Sequence, residues 1–504
     1  MKRLLAFILA LGLAVMHCVA LAGETASDEE SVRLVIDNVT AQFDNQDPFP
    51  LDLRVICDAH TTHNNTKASM LYQLVNSKQT IASVIAQGDA QGFVFDIDGM
   101  NNAYEMHFDE MDKLLPEDQT LPMASVDWVN TMIEALSRYR TNATDEAGQR
   151  RMAKEYTERM FDEGLYQWLN TEQVNIFGQP YTLRVVPCQW NREQQDQEKE
   201  IIKSIYLDAG TMDSAVDDMF KAFLGYGAEE AESEPSVNMI RGTVWTNDDG
   251  SVQQEKWTYQ VITKGEVFDR SEDVVVQMQS EITHEGMRSL SITTMQYGDG
   301  VIARYVRNET IRYGEEPSAQ TEWSIITTFP DDPNDEWDIR LSETTSNFCV
   351  TMESLDALTV SLSDTAIYSD GFEQVRGIAF DQTIAGENDL TGTISAYYDT
   401  ELMMDQTLRT RLMANYTIRP NAEEILPEIP GTKPIIDVSN MNEDQERLYA
   451  MDFTAMGMRT MGMLLQTQGV SRFASELKTR QEQAWEEYRK QEDDGHMQSD
   501  DFAA

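Results

Sequence analysis

The sequence predicts an α+β protein: a large curved antiparallel β-sheet, in the form of a half-barrel-like meander, with helices packed on one face and a C-terminal helical segment. Apolar and polar residues alternate with a period of two over most of residues 237–420, as they do in strands with one buried face. Turn-forming residues interrupt this alternation at strand-length intervals. Apolar residues at helical spacing occur mainly in an insertion before residue 230 and over residues 441–492.

The chain begins with the three parts of a cleavable secretory signal. Lys2 and Arg3 form a positive start, Leu4 to Val15 is almost wholly apolar, and Ala20-Leu21-Ala22 supplies small residues before the cleavage point. The apolar run is shorter than the ~20 residues that cross a bilayer. The alternatives are an uncleaved anchor and lipidation at Cys18, where a histidine precedes the cysteine instead of Gly or Ala. We therefore expect a secreted protein, extracellular or at the cell surface, with no direct membrane insertion after cleavage.

The charge of the chain limits its partners. Thirty-nine Lys and Arg residues stand against 87 Asp and Glu residues, which gives a formal net charge of −48. Such a field repels phosphate backbones, so we expect no nucleic-acid partner. With 41% hydrophobic and 9% aromatic residues the chain is globular rather than disordered.

The N-terminal half reads as a β-meander with helical insertions. Short alternating runs separated by Asn- and Gly-rich turns predict antiparallel strands, because parallel strands need crossovers of a dozen or more residues. These runs are Arg33 to Phe43, Leu51 to Cys57, Ala68 to Val75, Thr80 to Ala86, Phe93 to Ile97 and Ala103 to Phe108.

Helical patterns follow this first meander. We expect helices at 125–139 and 144–169, with Gly164 as a possible break, then a hairpin of strands 174–176 and 181–190 around the turn 177–180. A further helix or helix pair should end near Leu224. The Gly- and acid-rich residues 225–237 predict a linker.

Residues 237–420 carry the strongest strand pattern, with about twelve strands by turn spacing. A twisted open sheet of that size usually curls or folds onto itself, which is why we expect curvature. The apolar and aromatic positions that alternate with polar ones include Val244, Trp257, Tyr259, Val274, Val276, Leu290, Tyr305, Ile325, Val360, Leu362, Ile378, Ile394 and Tyr416.

The C-terminal part begins with four prolines between Arg419 and Asp437, which exclude a helix there. Asn440 or Asn442 then caps a methionine-rich helix, and Gly469 should divide it from a second, charged helix. Its apolar stripe is expected to pack on a sheet, in preference to lining an adaptable groove. The stripe contains Leu448, Met451, Ala455, Met458, Met461 and Leu465.

The predicted order of segments is a signal peptide at 1–22, an N-terminal β-meander with helical insertions at 23–230, a C-terminal β-meander at 237–420, a Pro-rich linker at 421–440, C-terminal helices at 441–492 and a disordered tail at 493–504.

Three cysteines remain after signal cleavage: Cys57, Cys188 and Cys349. An odd count leaves at least one thiol unpaired. Cys57 and Cys188 are open to pairing, although buried free thiols are the favoured interpretation.

Three groups of residues have metal-ligand character, and none is assigned as a site. Cys57, His60 and His63 have ligand chemistry, but in a strand the middle residue faces away from the other two. Asp96, Asp98, Asn101 and Glu105 resemble a calcium loop, as do Asp332, Asn334 and Glu336. Both lack the glycine and the bidentate acid at their required positions, and acidic turns explain them. We therefore predict no metal and no cofactor.

Catalytic signatures are likewise missing from the sequence. It contains no G-x-S-x-G, H-E-x-x-H, P-loop or dinucleotide-binding glycine motif. Paired carboxylates carry no information in a chain with 87 acids. We predict no catalytic residue and a non-enzymatic protein.

At the level of pattern, the chain resembles exported bacterial proteins with the curved sheet of the LolA/LppX type of lipoprotein carrier. The resemblance rests on the strand run Leu51 to Phe108, the helical insertion after it, the hairpin Val174 to Val185 and the Met-rich closing helix. It implies a concave sheet partly covered by helices, with a hydrophobic cleft.

These observations predict an exported binding or cell-envelope-associated protein. Its expected partner is an apolar small molecule or lipid held in the concave face of the sheet, or another envelope protein. The alternatives are a structural or adhesive surface protein without a ligand, and a hydrolase with dispersed acidic catalysts. Two buried acids converging in one place would favour the hydrolase.

Overall fold

The computed structural model describes residues 29–44, 46–62, 67–88, 92–107, 146–205, 236–263, 270–298, 300–330, 341–354, 357–369, 371–385, 389–403, 406–420 and 433–500. The predicted signal peptide, the candidate helix at 125–139, residues 206–224 and nearly all of the linker at 225–237 lie outside these residues. Most of the Pro-rich segment also lies outside them.

The described residues form 21 β-strands and four α-helices. The strands before residue 230 are β1 (Glu29–Phe43), β2 (Phe49–Pro50), β3 (Arg54–Thr62), β4 (Lys67–Val75), β5 (Thr80–Gly88), β6 (Gly92–Ile97), β7 (Ala103–His107), β8 (Asn170–Ile176) and β9 (Gln179–Asn191). The later strands are β10 (Ser236–Thr246), β11 (Val252–Thr263), β12 (Arg270–Ile282), β13 (Gly286–Gln296), β14 (Ile302–Arg312), β15 (Ser318–Thr328), β16 (Leu341–Ser354), β17 (Ala357–Tyr368), β18 (Glu373–Ala385), β19 (Asp389–Met403), β20 (Gln406–Pro420) and β21 (Ile435–Asp437). The helices are α1 (Glu146–Asp162), α2 (Arg192–Ile205), α3 (Glu443–Gln466) and α4 (Gln468–Asp500).

The predicted α+β class, with a large antiparallel sheet and a C-terminal helical segment, is confirmed. The period-two spacing of apolar residues reflects strands with one buried face, as predicted. In β16 every second residue is buried, from Thr344 through Phe348 to Met352, while its neighbours remain partly exposed. Among the residues that the structure describes, no helix is both long and apolar enough to cross a membrane.

The chain divides into two compact units that do not follow its linear order. The terminal unit combines Met1–Asp127 with Phe380–Ala504, and the central unit is Trp128–Ala379. The prediction placed its division near residues 225–237, on composition alone. The pairing of β1 with β20 accounts for the terminal unit, because it joins strands from the two ends of the chain.

In the terminal unit, hydrogen-bonded ladders run in the order β21, β7, β6, β5, β4, β3, β1, β20 and β19. All of these pairs are antiparallel except β21 with β7. Strand β1 lies between β3 and β20, and a register shift between Asp37 and Thr40 interrupts its ladder with β20. Asn38, with a φ of 51°, lies in this irregularity.

Helices α3 and α4 pack on the sheet of the terminal unit. Tyr449, Phe453 and Met456 of α3 cover a cluster around Tyr104, and Phe473 of α4 stacks on Phe43 at 4.9 Å between ring centroids. Both contacts bury aromatic surface, which is the main source of stability for such helices.

Helix α3 starts where the sequence predicted, but the boundary between α3 and α4 lies at a different residue from the predicted one. Asn442 accepts a hydrogen bond from the backbone of Gln445, whose side chain accepts one from the Asn442 backbone, so Asn442 is the cap of a capping box. The break lies at Thr467, not at Gly469, which is inside α4. A β-carbon at Gly469 would lie 2.3 Å from the carbonyl oxygen of Pro50, so this glycine allows close packing instead of ending a helix.

Two further boundaries differ from prediction. Helix α4 continues to Asp500, beyond the predicted end at 492, in a stretch without proline to stop it. Helix α1 ends at Asp162, before the predicted Leu169, because the chain turns at Gly164 with a φ of 77°.

In the central unit, antiparallel ladders join β8 through β17 in sequence order. The sheet curls at its β8 end, since the Tyr181 hydroxyl of β9 donates to Glu281 of β12, three ladder positions away. The predicted hairpin is confirmed, with Phe177 and Gly178 at positive φ in its turn. Helices α1 and α2 cover the same end of this sheet.

Candidate functional site

Helices α1 and α2 enclose an aromatic row against β9, β10 and β11 of the central unit. Tyr156 meets Tyr166 edge-on at 6.5 Å, Tyr166 stacks on Trp190 at 6.3 Å, and Trp190 lies 4.6 Å from Trp257. The row is held by apolar residues of both helices and the strands, among them Met160, Val186, Ile201, Ile205 and Val244.

Two glutamates face this row, and together they form what we call the acid–aromatic cluster: Tyr156, Tyr166, Trp190, Glu198, Glu255 and Trp257. The Tyr156 hydroxyl donates to Glu198 at 3.0 Å. The Trp257 indole N–H donates to Glu255 at 2.6 Å, and the Gln253 amide donates to its other oxygen. Tyr156, Glu198 and Glu255 each keep part of their surface exposed, so the cluster reaches solvent.

Regular periodicity places both carboxyls in the cluster. In α2, Glu198 lies three residues after buried Gln195 and three before buried Ile201, on the inward face. In β11, Glu255 lies between Gln253 and Trp257, both buried, at the same parity of the strand.

Within the described residues, no Lys, Arg or His forms an ion pair with Glu198 or Glu255, which distinguishes them from most buried acids of the chain. The nearest base in the sequence, Lys199, lies 3.9 Å from Asp196. By contrast, four almost fully buried acids contact a base, and a fifth, Glu281, accepts from Tyr181. The four pairs are Asp58 with Arg33, Asp96 with Lys433, Asp364 with Arg376 and Asp399 with Arg409.

The missing base has an electrostatic consequence. Burial, and then repulsion by Glu255, raises the pKa of Glu198 to about 7, against the partial compensation of its hydrogen bond with Tyr156. Burial also raises the pKa of Glu255, although the hydrogen bonds from Trp257 and Gln253 act in the opposite direction. Near neutral pH the pair therefore holds less than two full negative charges.

The hydroxyl of Tyr166 is buried inside the cluster, and the residue is only 2% exposed. Burial, and then the charge of Glu255, raises its pKa well above the usual value, against the opposite effect of a side-chain hydrogen bond with Tyr156. The hydroxyl therefore stays protonated near neutral pH.

Cys188 lies beside the cluster and is an unreactive thiol. Burial, followed by the charges of Glu255 and Glu198, raises its pKa to about 12, and its Sγ lies 3.6 Å from the Val186 carbonyl oxygen. Cys57 is also buried and its pKa is likewise raised to about 12. Both are free thiols, as is Cys349, so the favoured interpretation of unpaired cysteines is confirmed over a Cys57–Cys188 disulfide.

The sequence-derived metal candidates lie elsewhere. Cys57 and His60 both lie in β3, and His63 is outside the described residues, as are Asp332, Asn334 and Glu336. Asp96 contacts Lys433, and Asp98 contacts Arg459 at 3.2 Å. The acidic turn thus anchors residues near and within α3. Among the described residues, no three His, Cys, Asp or Glu side chains are placed to hold a metal.

The apolar stripe of α3 faces solvent, which corrects the expectation that it packs on a sheet. Met458 is 68% exposed and Met451 58% exposed. The opposite face of the helix carries Tyr449 and Phe453, and these larger aromatic side chains take the contact with the sheet. The exposed large apolar residues of the stripe are Leu448, Met451, Met458, Met461 and Leu465.

The stripe carries few charges among its neighbours. From Leu448 onward its exposed neighbours include the small or neutral Ala450, Thr454 and Ala455, and the one exposed charge, Arg459, is paired with Asp98. The charged Asp452 is turned to the sheet side, where it accepts from the Tyr104 hydroxyl at 2.7 Å. Contiguous exposed apolar surface of this kind is uncommon on soluble proteins and marks interaction sites.

Sequence reasoning singled out the stripe but missed the acid–aromatic cluster. A signal for the cluster is present: a glutamate at an inward strand position two residues before a tryptophan, and a glutamate on the apolar stripe of a helix. Neither residue stands out among 87 acids, because only the packing of α2 on the sheet of the central unit brings them together.

No protein-family model matches the chain, and no curated protein matches it. Similar solved structures include OccK10 (OpdN) of Pseudomonas aeruginosa, with a TM-score of 0.25, 8% identity, and coverage of 79% of this chain and 100% of that one. OccK5 (OpdH) of the same organism has a TM-score of 0.22, 6% identity, and coverage of 78% and 98%. OmpT, an outer membrane protein of Vibrio cholerae, has a TM-score of 0.18, 7% identity, and coverage of 78% and 99%. At these TM-scores the similarity assigns neither family nor function to the chain.

Proposed function

We propose that this chain is an exported, non-enzymatic binding protein of the cell envelope, which docks a partner protein on the exposed stripe of α3. The observation that carries the proposal is the stripe itself: five large apolar side chains, each between 46% and 68% exposed, on one helix face. Burying such a face against a partner is favourable by about 25 cal/mol per Å² of apolar surface.

The charge of the chain specifies the partner. At a net charge of −48, two copies repel each other, and anionic lipid headgroups are repelled as well. A protein with an apolar helix or groove bordered by Lys and Arg matches both the stripe and the surrounding field. Methionine side chains adapt to the shape of such a partner. The expected apolar ligand in the concave face of the sheet remains a prediction.

A site-specific photocrosslinker tests the proposal. We expect benzoylphenylalanine at position 458, expressed in an exporting host, to form an adduct with a basic protein identifiable by mass spectrometry. The same group at exposed Gln483 of α4 should not form it. In a variant that also carries Met451→Glu and Leu465→Glu the adduct should be abolished, whereas the charge-matched control Gln481→Glu combined with Gln483→Glu should retain it.

Three outcomes contradict the proposal. They are an adduct with a second copy, an adduct with another segment of the same chain, and no adduct at all. The last would favour the structural or adhesive alternative.

The hydrolase alternative is favoured by one observation, the convergence of Glu198 and Glu255. Glycoside hydrolysis needs one carboxyl protonated and another ionised at the same pH, and a pKa of about 7 for Glu198 next to a second carboxyl provides a proton donor. A panel of aryl glycosides tests it. Hydrolysis by the native chain that is lost in both Glu198→Gln and Glu255→Gln would support the alternative. If the native chain hydrolyses the glycosides no faster than these two variants, the alternative is excluded for that panel.

A further inference from the structure

Sulfur is concentrated on the exposed stripe of α3. Five of the chain's 27 methionines fall within residues 451–463 of this one helix. Three of them, Met451, Met458 and Met461, belong to the stripe and are 58%, 68% and 49% exposed. From the first to the third is about 15 Å along a helix axis. Three thioether side chains therefore lie close together on a surface that is open to solvent.

The other two methionines of this segment are half-buried. Met456 packs on the cluster around Tyr104, and its sulfur accepts a hydrogen bond from the Thr460 hydroxyl at 3.6 Å. Met463 is half-buried one turn further along the helix. The same few turns of α3 thus carry both exposed and protected methionines, so a reagent that depends on solvent access should distinguish the two groups.

The thioethers are the side chains of the stripe whose polarity a mild oxidant can change. A peroxide transfers one oxygen atom to the sulfur: its O–O bond breaks, an S–O bond forms, the sulfur is oxidised by two electrons, and hydrogen peroxide leaves as water. The product, methionine sulfoxide, is polar. Two thiols reduce it back to the thioether, with a disulfide and water as the other products. Leu448 and Leu465 undergo neither reaction.

The charge of the chain favours a neutral oxidant. A net charge of −48 repels anionic oxidants such as peroxymonosulfate. Hydrogen peroxide carries no charge, and its approach to the stripe does not meet this barrier. We therefore take hydrogen peroxide as the oxidant.

We propose that Met451, Met458 and Met461 are a modification site for peroxide, and that their oxidation to methionine sulfoxide releases a partner from the α3 stripe. This inference rests on the proposed docking function and adds its regulation. Docking buries the stripe against apolar surface, where three sulfoxides lose their hydration without gaining a hydrogen-bond donor. Reduction by a methionine sulfoxide reductase, with a thiol as electron donor, restores the apolar face.

Peptide mapping by mass spectrometry locates the modification in the full chain. With limiting hydrogen peroxide, the three stripe methionines should each gain one oxygen before half-buried Met456 and Met463 do. Met160 and Met352, which are fully buried, should react last. Equal reaction at buried and exposed methionines would overturn the proposal, because solvent access would then not select the site.

Binding of a defined probe measures the effect on docking. The probe is a fluorescent amphipathic helix of about 14 leucine and lysine residues, in about 0.5 M NaCl to screen its general attraction to the acidic chain. The oxidised chain should bind it at least about ten-fold more weakly than the untreated chain. A methionine sulfoxide reductase with dithiothreitol should restore the affinity. The melting temperature should be unchanged, because the modified positions are exposed.

Two leucine variants assign the effect to the stripe. In Met451→Leu combined with Met458→Leu and Met461→Leu, peroxide should change the probe affinity by less than about two-fold relative to the same variant untreated. Met239→Leu, at an exposed position of the central unit, is the matched control and should lose affinity on oxidation as the native chain does. Both variants keep the half-buried thiol of Cys349, so an effect of peroxide on that cysteine would appear in both.

Unchanged probe affinity after complete oxidation of the stripe, or an equal loss of affinity in the triple leucine variant, would overturn this inference and leave the docking proposal standing. A native chain that does not bind the probe before treatment would contradict docking by a partner of this chemistry, and the inference would fall with it.

Discussion

Glu198 and Glu255 illustrate how a residue acquires its properties from its surroundings. As exposed residues each would add one more charge to an acidic surface. Packed under α2 in the central unit, each loses hydration, and the charge of Glu255 further raises the pKa of Glu198. The same sequence position is therefore an ordinary solvated acid or a proton-binding group, depending on which element covers it.

At this scale we predict a pH-dependent stability difference between the native chain and Glu198→Gln. The pKa of Glu198 rises from 4.5 to about 7 on folding, so the folded state binds this proton more tightly than the unfolded state. The free energy of unfolding therefore falls as pH rises from about 4.5 to about 7. Glutamine has no such proton and removes this fall, which amounts to at most about 3 kcal/mol.

Urea unfolding of both proteins at pH 5 and pH 8 measures this difference. When the pH is raised from 5 to 8, the free energy of unfolding of Glu198→Gln should increase relative to that of the native chain. A parallel pH dependence in the two proteins would contradict the assignment, and Glu193→Gln serves as the exposed control.

At the scale of the element, α3 has two faces with different tasks. The face with Tyr449 and Phe453 packs on the cluster around Tyr104, and the face with Met451 and Met458 is exposed. Sequence periodicity identified the helix and its cap but assigned the packing to the wrong face, because both faces carry apolar residues. Tyr104, which bonds Asp452, fixes the rotation of the helix.

We predict that Phe453→Ala destabilises the terminal unit by about 2–4 kcal/mol, because it removes packed aromatic surface. Met458→Ala, at an exposed position, should change stability by less than about 0.5 kcal/mol. Chemical denaturation of the two variants measures both effects. Equal losses would mean that the exposed face is packed after all.

Alanine substitutions at Gly462 and Gly469 are expected to have opposite effects on stability. A β-carbon at Gly469 would lie 2.3 Å from the carbonyl oxygen of Pro50 and 2.4 Å from Cα of Leu51, whereas nothing lies within 4 Å of one at Gly462. Gly462→Ala should therefore stabilise α3 by up to about 1 kcal/mol through helix propensity. Gly469→Ala should destabilise α4 despite the same propensity gain.

Thermal unfolding of the two glycine variants tests the contrast. If Gly469→Ala were as stabilising as Gly462→Ala, the close approach of α4 to the β2 segment would be wrong.

At the scale of the whole molecule, charge and topology act over long distances. A net charge of −48 opposes compaction through mutual repulsion of acids. Local ion pairs such as Asp399 with Arg409, at 2.8 Å, offset this only in part, since 87 acids outnumber 39 bases.

We therefore predict that NaCl stabilises the folded chain. Raising its concentration from about 0.02 to about 0.5 M shortens the Debye length from roughly 20 Å to roughly 4 Å and screens the repulsion. The melting temperature should rise by several degrees, about equally for NaCl and KCl. A melting temperature that is unchanged or falls would show that the acids are already compensated in the folded state.

The sequence by itself determined the fold class, the strand pattern and the cap at Asn442. These depend on local periodicity and turn chemistry, which a linear pattern records directly. Only the tertiary structure decided that β1 pairs with β20, that α3 exposes its methionines, and that Glu198 meets Glu255. Each of these features depends on contacts between residues far apart in the chain. Many different pairings would satisfy the same local pattern. The packing of particular side chains, such as Tyr104 against α3 and Trp257 against α2, selects among them.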